Sequence, residues 1–317
     1  MAHPRQQRID PAKIARGAKK GSPAARPKAT AADWIGAARL RTLSLSITPV
    51  ALGSATAFVA NGFDLTIALL CLAVAVLLQI GVNYANDYSD GVRGTDNYRV
   101  GPSRLTGSGA AKPKQVLTVA LTFLALGALA GVAVIVLSQH WWLLGVGALA
   151  LVAAWFYTGG KRPYGYYGLG ELVSFLFFGI VATVGTTYVQ LDRVTIDSWV
   201  AAVAIGLFVA AVMLVNNLRD RAQDALAGKR TLSVLIGDRA SRVLFTVLML
   251  LPYLSLTFYF GLFYFRAPLV YFTLLAALPT VLIVLTAKTP REFILALKLT
   301  SLTALLFGLG LAAAIAF

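Results

Sequence analysis

The chain has 317 residues, of which 58% are hydrophobic and only 13% are charged, and its mean hydropathy is +0.75. Soluble domains are about 45–50% apolar and about 25% charged. The composition therefore excludes an ordinary soluble protein and indicates an integral membrane protein. The excess of 28 Lys and Arg over 13 Asp and Glu gives a net charge of +15. In a membrane protein this excess points to cytoplasmic loops that face anionic lipid rather than to nucleic acid.

The first 33 residues form a basic segment without an apolar stretch. They carry eight Lys and Arg among Pro, Ala and Gly, which is not the pattern of a secretory signal peptide. We expect residues 1–33 to be a disordered cytoplasmic tail that lies against the lipid surface, with an organelle transit peptide as the alternative. Residues 34–317 are predicted to form one transmembrane domain.

Charge-free stretches predict the membrane spans, since about 20 residues cross the hydrocarbon core as a helix. The stretch 115–160 is long enough for two helices and is interrupted by the polar and aromatic turn His140-Trp141-Trp142. With that division the sequence predicts nine transmembrane helices in an all-α bundle. The stretches are 42–63, 65–86, 115–160, 172–191, 198–218, 243–265, 267–287 and 299–317.

The distribution of cations predicts the orientation of the bundle. With nine spans and the N-terminus in the cytoplasm, 26 of the 28 Lys and Arg lie on the cytoplasmic side, and Arg193 and Arg266 alone lie outside. This asymmetry is the positive-inside pattern of a multi-pass membrane protein.

Two clusters of acidic residues follow the second and the sixth predicted helices. Asn83, Asp87 and Asp90 are spaced by four and three residues, so they share one helical face, and Asp96 follows them. The second cluster repeats the arrangement with Asn217, Asp220 and Asp224. By the predicted orientation both clusters lie at the cytoplasmic membrane surface, at the same depth.

Carboxylates one helical turn apart repel each other unless a cation lies between them. Hard oxygen ligands that leave room for water and substrate phosphate suit Mg²⁺. The alternative is that these acids are solvated groups paired with nearby arginines. Because two matched clusters lie at one depth, we favour a magnesium site. The sequence has one cysteine and two histidines, which are too few and too scattered for another metal site.

Basic residues in glycine-containing turns surround both clusters, which favours binding of a phosphate group. The acids would hold Mg²⁺, and Mg²⁺ would bridge to a diphosphate. An apolar interior behind this site would accept a long hydrocarbon chain, so an isoprenoid diphosphate has the right shape. The candidate substrate-binding residues are Arg41, Arg93, Arg104, Lys161 and Lys229.

The motif Asn83-x-x-x-Asp87-x-x-Asp90 and the pair Asp220 and Asp224 resemble the two aspartate-rich motifs of the UbiA superfamily of intramembrane prenyltransferases. Within it, four stretches are similar to the branch that prenylates 1,4-dihydroxy-2-naphthoate in menaquinone synthesis, particularly its actinobacterial members. The stretches are 39–43, 81–109, 157–166 and 216–237. One departure is Leu40, where the branch usually has proline.

This resemblance implies a nine-helix bundle around a central cavity and transfer of a polyprenyl chain to dihydroxynaphthoate, with loss of CO₂ and formation of demethylmenaquinone. It implies two Mg²⁺ ions bound by Asp87, Asp90, Asp220 and Asp224, with Asp96 as a helper. It also implies that Asn83 and Asn217 support the metal site and that Arg41, Lys161 and Lys229 bind the diphosphate or the acceptor carboxylate. Tyr157 is a candidate to face the allylic carbocation by cation–π attraction. It names no general base and leaves the oligomeric state open.

Two other functions remain open from the sequence. A UbiA-type enzyme with another acceptor, such as hydroxybenzoate, haem, homogentisate or a phosphoribosyl group, would share the aspartate motifs. A divalent-cation transporter would instead bury ionisable residues near the bilayer midplane. The acids of this chain lie at helix ends, which argues against transport.

Overall fold

The structure is a computed structural model that describes residues 28–98 and 104–317. Most of the predicted basic tail, residues 1–27, lies outside the described residues. Within these ranges the regular secondary structure is entirely helical. The ten principal helices are α1 (Ala31–Ala37), α2 (Ser44–Val59), α3 (Leu65–Arg93), α4 (Pro113–Ser138), α5 (Leu143–Phe156), α6 (Gly170–Leu191), α7 (Ile196–Leu226), α8 (Leu232–Phe263), α9 (Ala267–Thr286) and α10 (Pro290–Ala316).

Helices α2 to α10 coincide with the nine predicted apolar segments. Seven of them in the described chain, α3, α4 and α6 to α10, are long and apolar enough to cross a membrane. Helices α2 and α5 are shorter, at 16 and 14 residues, or about 24 and 21 Å at 1.5 Å per residue. The chain is thus an all-helical, multi-pass membrane protein, and the turn predicted at residues 140–142 does separate α4 from α5.

Local sequence signals set the ends of the helices that carry the acids. The Asp64 carboxylate caps α3 by accepting the Ile67 backbone N–H at 2.9 Å, and Gly94 ends α3 in the left-handed conformation at φ 75°. A capping box of Thr195 and Ser198 starts α7. Both helices extend past their charge-free stretches, α3 to Arg93 and α7 to Leu226, so each acidic cluster does lie on one helical face.

Helix α7 is the centre of the bundle and is buried on nearly all sides through its apolar length. Its Phe208 ring lies 4.9 Å from the Phe307 ring of α10, centroid to centroid. Helix α6 crosses α7 at two glycines: a Cβ on Gly179 would lie 2.5 Å from the Cα of Gly206. Small residues at a membrane helix crossing permit such close approach of α6 and α7.

The segment before α2 lies across the end of α3. The Tyr84 hydroxyl donates to the Trp34 carbonyl at 2.6 Å, and the Asn83 amide donates to the Ala38 carbonyl at 2.9 Å. Arg39 follows in a left-handed conformation, φ 55°, which turns the chain sharply into α2. The N-terminal segment is therefore bonded directly to the first acidic cluster.

Candidate active site

A cavity of about 670 Å³ opens among α3, α4, α5, α6 and α7, a volume typical of ligand pockets. Its interior wall is apolar. The polar side chains of its wall gather where α3 and α7 end, and they include both acidic clusters. Those acids and amides are Asn83, Asn86, Asp87, Asp90, Asn216, Asn217, Asp220 and Asp224. The structure thus brings the two predicted clusters together at one mouth of one cavity.

Asp87 holds the loop that follows α3. Its two carboxylate oxygens accept the backbone N–H groups of Leu105 and Thr106, each at 2.9 Å. The side chain is buried, with 2% of its residue surface exposed. A carboxylate oxygen has more than one lone pair, so these bonds leave capacity for a cation on the cavity side. They also fix the loop that carries Arg104.

Asp90 is the centre of a network of opposite charges. It accepts the Tyr166 hydroxyl at 2.5 Å and the Lys229 ammonium at 3.2 Å, and Arg104 Nη1 lies 3.3 Å from Asp90 Oδ2. Arg104 also faces Asp96, with Nε 3.6 Å from Oδ1. The acid is buried, so its charge is balanced by neighbours rather than by water.

The ionisation states of this network follow from its charges. Burial alone would lower the pKa of the Arg104 guanidinium, but Asp90 and Asp96 raise it above its usual value. Burial and the Asp90 carboxylate raise the pKa of Tyr166. At neutral pH Arg104 is therefore a fixed cation, and the Tyr166 hydroxyl remains a donor.

The second cluster has its own cation. Arg219 Nε donates to Asp220 Oδ1 at 2.7 Å, and Arg219 also donates to the Asn216 amide oxygen at 3.0 Å. Asp224 lies one turn further on and is half-buried on the cavity wall. The Asn217 amide donates to Glu171 Oε1 at 2.9 Å. Both predicted amides, Asn83 and Asn217, thus donate to protein oxygens, and their own carbonyl oxygens are the groups available to a ligand.

The other predicted residues divide between the cavity and its surroundings. Tyr157 and Lys229 line the cavity, whereas Asp96 lies beside the wall and pairs with Arg104. Arg93 donates to the Thr158 and Gly160 carbonyls and thereby anchors the loop after α5. Lys161 is exposed and is not part of the wall. The Arg41 side chain lies outside what the structure describes.

The cavity also contains residues that were not among the predicted site residues, including Arg39, Tyr166, Arg219 and Lys298. Arg39 belongs to the same Arg-Leu-Arg-Thr stretch as Arg41, and sequence spacing could not choose between the two. Arg219 directly precedes Asp220 and could have been found from that adjacency. Lys298 directly precedes the charge-free stretch 299–317, a position that carries no signal beyond that of a cytoplasmic cation. Tyr166 could not be distinguished from the neighbouring tyrosines of its loop.

The donor groups of the site decide whether it suits Mg²⁺. Among the described residues, no three His, Cys, Asp or Glu side chains form a group that could hold a metal by themselves. The donors present are carboxylate and amide oxygens, which are the ligands Mg²⁺ prefers. Mg²⁺ keeps waters and substrate phosphates in its shell and needs only one or two carboxylates. The residues therefore fit Mg²⁺ bound together with a phosphate-containing substrate.

An apolar helical cavity with carboxylates and cations at one mouth has the chemistry to suit an amphiphile with an anionic head. Residues 46–302 match the family model described as "UbiA prenyltransferase family". Together with the relatives below, this match shows that the chain belongs to the UbiA prenyltransferase family.

Curated relatives extend this assignment. The chain is 47% identical to a 1,4-dihydroxy-2-naphthoate octaprenyltransferase of Mycobacterium tuberculosis over 91% of this chain and 98% of that protein. It is 39% identical to the Escherichia coli protein of that description, over 66% of this chain and 70% of the relative. It is also 34% identical to UbiA prenyltransferase domain-containing protein 1 of Rattus norvegicus, over 71% of this chain and 67% of that protein.

Solved structures share the fold at lower identity. A UbiA homolog from Aeropyrum pernix K1 aligns with a TM-score of 0.66 at 17% identity, over 84% of this chain and 96% of that chain. A UbiA homolog from Archaeoglobus fulgidus bound to DMAPP and Mg²⁺ aligns with a TM-score of 0.62 at 15% identity, over 89% of this chain and 99% of that chain.

Proposed function

We propose that this protein transfers a long polyprenyl chain from a polyprenyl diphosphate to 1,4-dihydroxy-2-naphthoate, with loss of CO₂, and so forms demethylmenaquinone in its quinol form for menaquinone biosynthesis. The observation that carries the proposal is the 47% identity to the Mycobacterium tuberculosis naphthoate octaprenyltransferase over nearly the whole of both chains. The cavity supports it, because a polar mouth and an apolar interior suit a diphosphate joined to a hydrocarbon.

We propose that Asp87, Asp90, Asp220 and Asp224 hold Mg²⁺, and that the two clusters allow two ions. The structural neighbour bound to DMAPP and Mg²⁺ supports this role for the fold. When bound, Mg²⁺ would neutralise charge on the diphosphate leaving group. Asp96 would contribute indirectly, because it shares Arg104 with Asp90.

The cations of the mouth would bind the diphosphate. Lys229 and Arg104 lie beside Asp90, where they would stabilise the negative charge that develops as the allylic C–O bond breaks. The electron pair of that bond leaves with the diphosphate, a ring carbon of the acceptor forms the new bond, and the ring carboxylate departs as CO₂. Arg39 and Arg41, at the entrance to α2, are candidates for binding the acceptor carboxylate.

We also propose that all nine helices α2 to α10 cross a bacterial plasma membrane as one domain, residues 34–317, with the N-terminus and the active site in the cytoplasm. The basic tail 1–33 would then lie on the inner lipid surface. The cation asymmetry between the two sides of the bundle supports this orientation.

Cysteine labelling tests the orientation. In a Cys71→Ser background, we expect a membrane-impermeant maleimide to label Arg193→Cys in intact cells. The matched Lys112→Cys variant, in the loop before α4, should be labelled only after the cells are permeabilised. Labelling of Lys112→Cys in intact cells, with Arg193→Cys protected, would reverse the topology.

A comparison of acceptors tests the function. Membranes containing the protein, supplied with Mg²⁺ and a long polyprenyl diphosphate, should prenylate dihydroxynaphthoate at least about a hundredfold faster than hydroxybenzoate, since a site built for one acceptor rejects analogues that leave its polar groups unpaired. Chromatography of the lipid extract measures both products. Prenylation of hydroxybenzoate without prenylation of naphthoate would assign another acceptor.

A further inference from the structure

We propose that Tyr166 is a positioning residue that joins the two halves of the diphosphate site: its hydroxyl orients Asp90 for the metal, and its ring holds Lys229 for the diphosphate. This inference rests on the proposed function and names a residue outside both aspartate motifs. Tyr166 lies in the short turn Tyr164–Tyr166 between α5 and α6, and it lines the cavity.

The hydroxyl is bonded to the first acidic cluster. It donates to Asp90 Oδ1 at 2.5 Å, while Asp90 Oδ2 faces Lys229 and Arg104. A hydroxyl bonded to one oxygen fixes the rotation of a carboxylate, and such outer partners orient metal ligands. Without this bond the carboxylate would be free to turn both oxygens toward its two cations. The structure therefore gives the hydroxyl a role in metal binding that a purely apolar contact would not have.

The Tyr166 ring makes cation–π contacts with two cations. Lys229 Nζ lies 4.6 Å from the ring centroid, and Arg93 Cζ lies 5.5 Å from it. Both distances are within the range of cation–π attraction. Arg93 donates to the carbonyls of the loop after α5 and also to the Tyr166 hydroxyl at 3.5 Å. The Lys229 ammonium donates to Asp90 and also contacts the Tyr166 ring, so these two contacts together set its position.

The backbone of Tyr166 completes the link to the second cluster. The Arg230 backbone N–H donates to the Tyr166 carbonyl at 2.8 Å, which ties the loop after α7 to the turn before α6. Asp90 on α3 and Lys229 after α7 are 139 residues apart in sequence. Tyr166 thus contacts both ends of the ion pair with one side chain, by two different interactions that can be removed separately.

Two substitutions separate these interactions. Tyr166→Phe removes the hydroxyl and keeps the ring. A pentafluorinated phenylalanine introduced at position 166 keeps the ring's shape but reverses the charge distribution that attracts Lys229. Tyr164→Phe is the matched control, because its hydroxyl in the same turn donates to the Ala153 carbonyl at 2.8 Å rather than to an acid.

The experiment measures binding on the purified full-length protein in nanodiscs. Electron paramagnetic resonance follows Mn²⁺ binding in the presence of inorganic diphosphate, and calorimetry follows diphosphate binding in EDTA. We expect Tyr166→Phe to weaken Mn²⁺ binding about tenfold and to change metal-free diphosphate binding less than about twofold. The fluorinated residue should weaken metal-free diphosphate binding a further ~3- to 10-fold relative to phenylalanine.

Turnover supplies a second readout. Tyr166→Phe should raise the Mg²⁺ concentration for half-maximal activity while leaving KM for the polyprenyl diphosphate unchanged at saturating Mg²⁺. Wild-type Mn²⁺ affinity in Tyr166→Phe, or equal losses in Tyr166→Phe and Tyr164→Phe, would overturn the hydroxyl role. Equal diphosphate affinity of the phenylalanine and fluorinated variants would overturn the ring role.

These binding measurements contain no acceptor, so they stay valid if the proposed acceptor is wrong. A wild-type protein that binds no Mn²⁺ together with diphosphate would instead contradict the proposed function itself.

Discussion

Replacing Asp90 by asparagine should lower kcat about a hundred- to a thousandfold, the loss typical of removing one group that stabilises developing charge. Asp90 is buried and contacts Tyr166, Lys229 and Arg104. Asparagine keeps the size and a hydrogen-bonding oxygen but removes the charge that would hold Mg²⁺. The measurement is the rate of prenyl transfer at saturating substrates and Mg²⁺.

The same variant should bind metal-free diphosphate at least as tightly as the wild type, because Lys229 would lose its paired acid and Arg104 would lose one of its two. Loss of turnover with retained or increased anion affinity distinguishes this role from general damage. Asp238→Asn is the matched control: it also removes an acid paired with arginine, Arg242, but lies outside the cavity. Near-wild-type turnover in Asp90→Asn would contradict the metal assignment.

Replacing Arg104 by methionine should destabilise the protein by about 3–5 kcal/mol, because removing one partner of a buried ion pair leaves the other charge uncompensated. The Arg104 side chain is 10% exposed and lies between Asp90 and Asp96, whose side chains are 4% and 5% exposed. Methionine fills similar volume, so the lost charge rather than a cavity sets the effect. Thermal unfolding in detergent measures it.

Two further variants make this prediction specific. Lys112→Met removes an exposed cation of the same loop and should unfold near the wild-type temperature. Adding Asp96→Asn to Arg104→Met removes one of the acids left behind and should restore part of the lost stability. An Arg104→Met protein as stable as Lys112→Met would show that the buried acids do not depend on this cation.

Much of the architecture could be predicted from the sequence because it follows from local composition. The apolar segments, the break at residues 140–142 and the common face of Asn83, Asp87 and Asp90 depend on residues close together in the chain. The predicted orientation also places both acidic clusters at one membrane surface, but their meeting on the wall of one cavity depends on helix packing that no local pattern predicts.

The contacts within the site could not be predicted, because they join loops far apart in sequence. The bond from Tyr166 to Asp90 spans 76 residues, and the Asp87 bonds to Leu105 and Thr106 involve backbone groups that carry no sequence signature. Arg39 lines the cavity from a left-handed conformation at the entrance to α2, which no sequence pattern predicts. Arg93 and Lys161 resembled phosphate ligands by composition, but the first is bonded to carbonyls and the second is exposed.

The most direct test of the proposed reaction is the fate of the acceptor carboxylate. With carboxyl-labelled dihydroxynaphthoate, a long polyprenyl diphosphate and Mg²⁺, we predict one labelled CO₂ for each prenylated naphthoquinol formed, and neither product when EDTA is present. Prenylated product that retains the label, or turnover that persists in EDTA, would contradict the account.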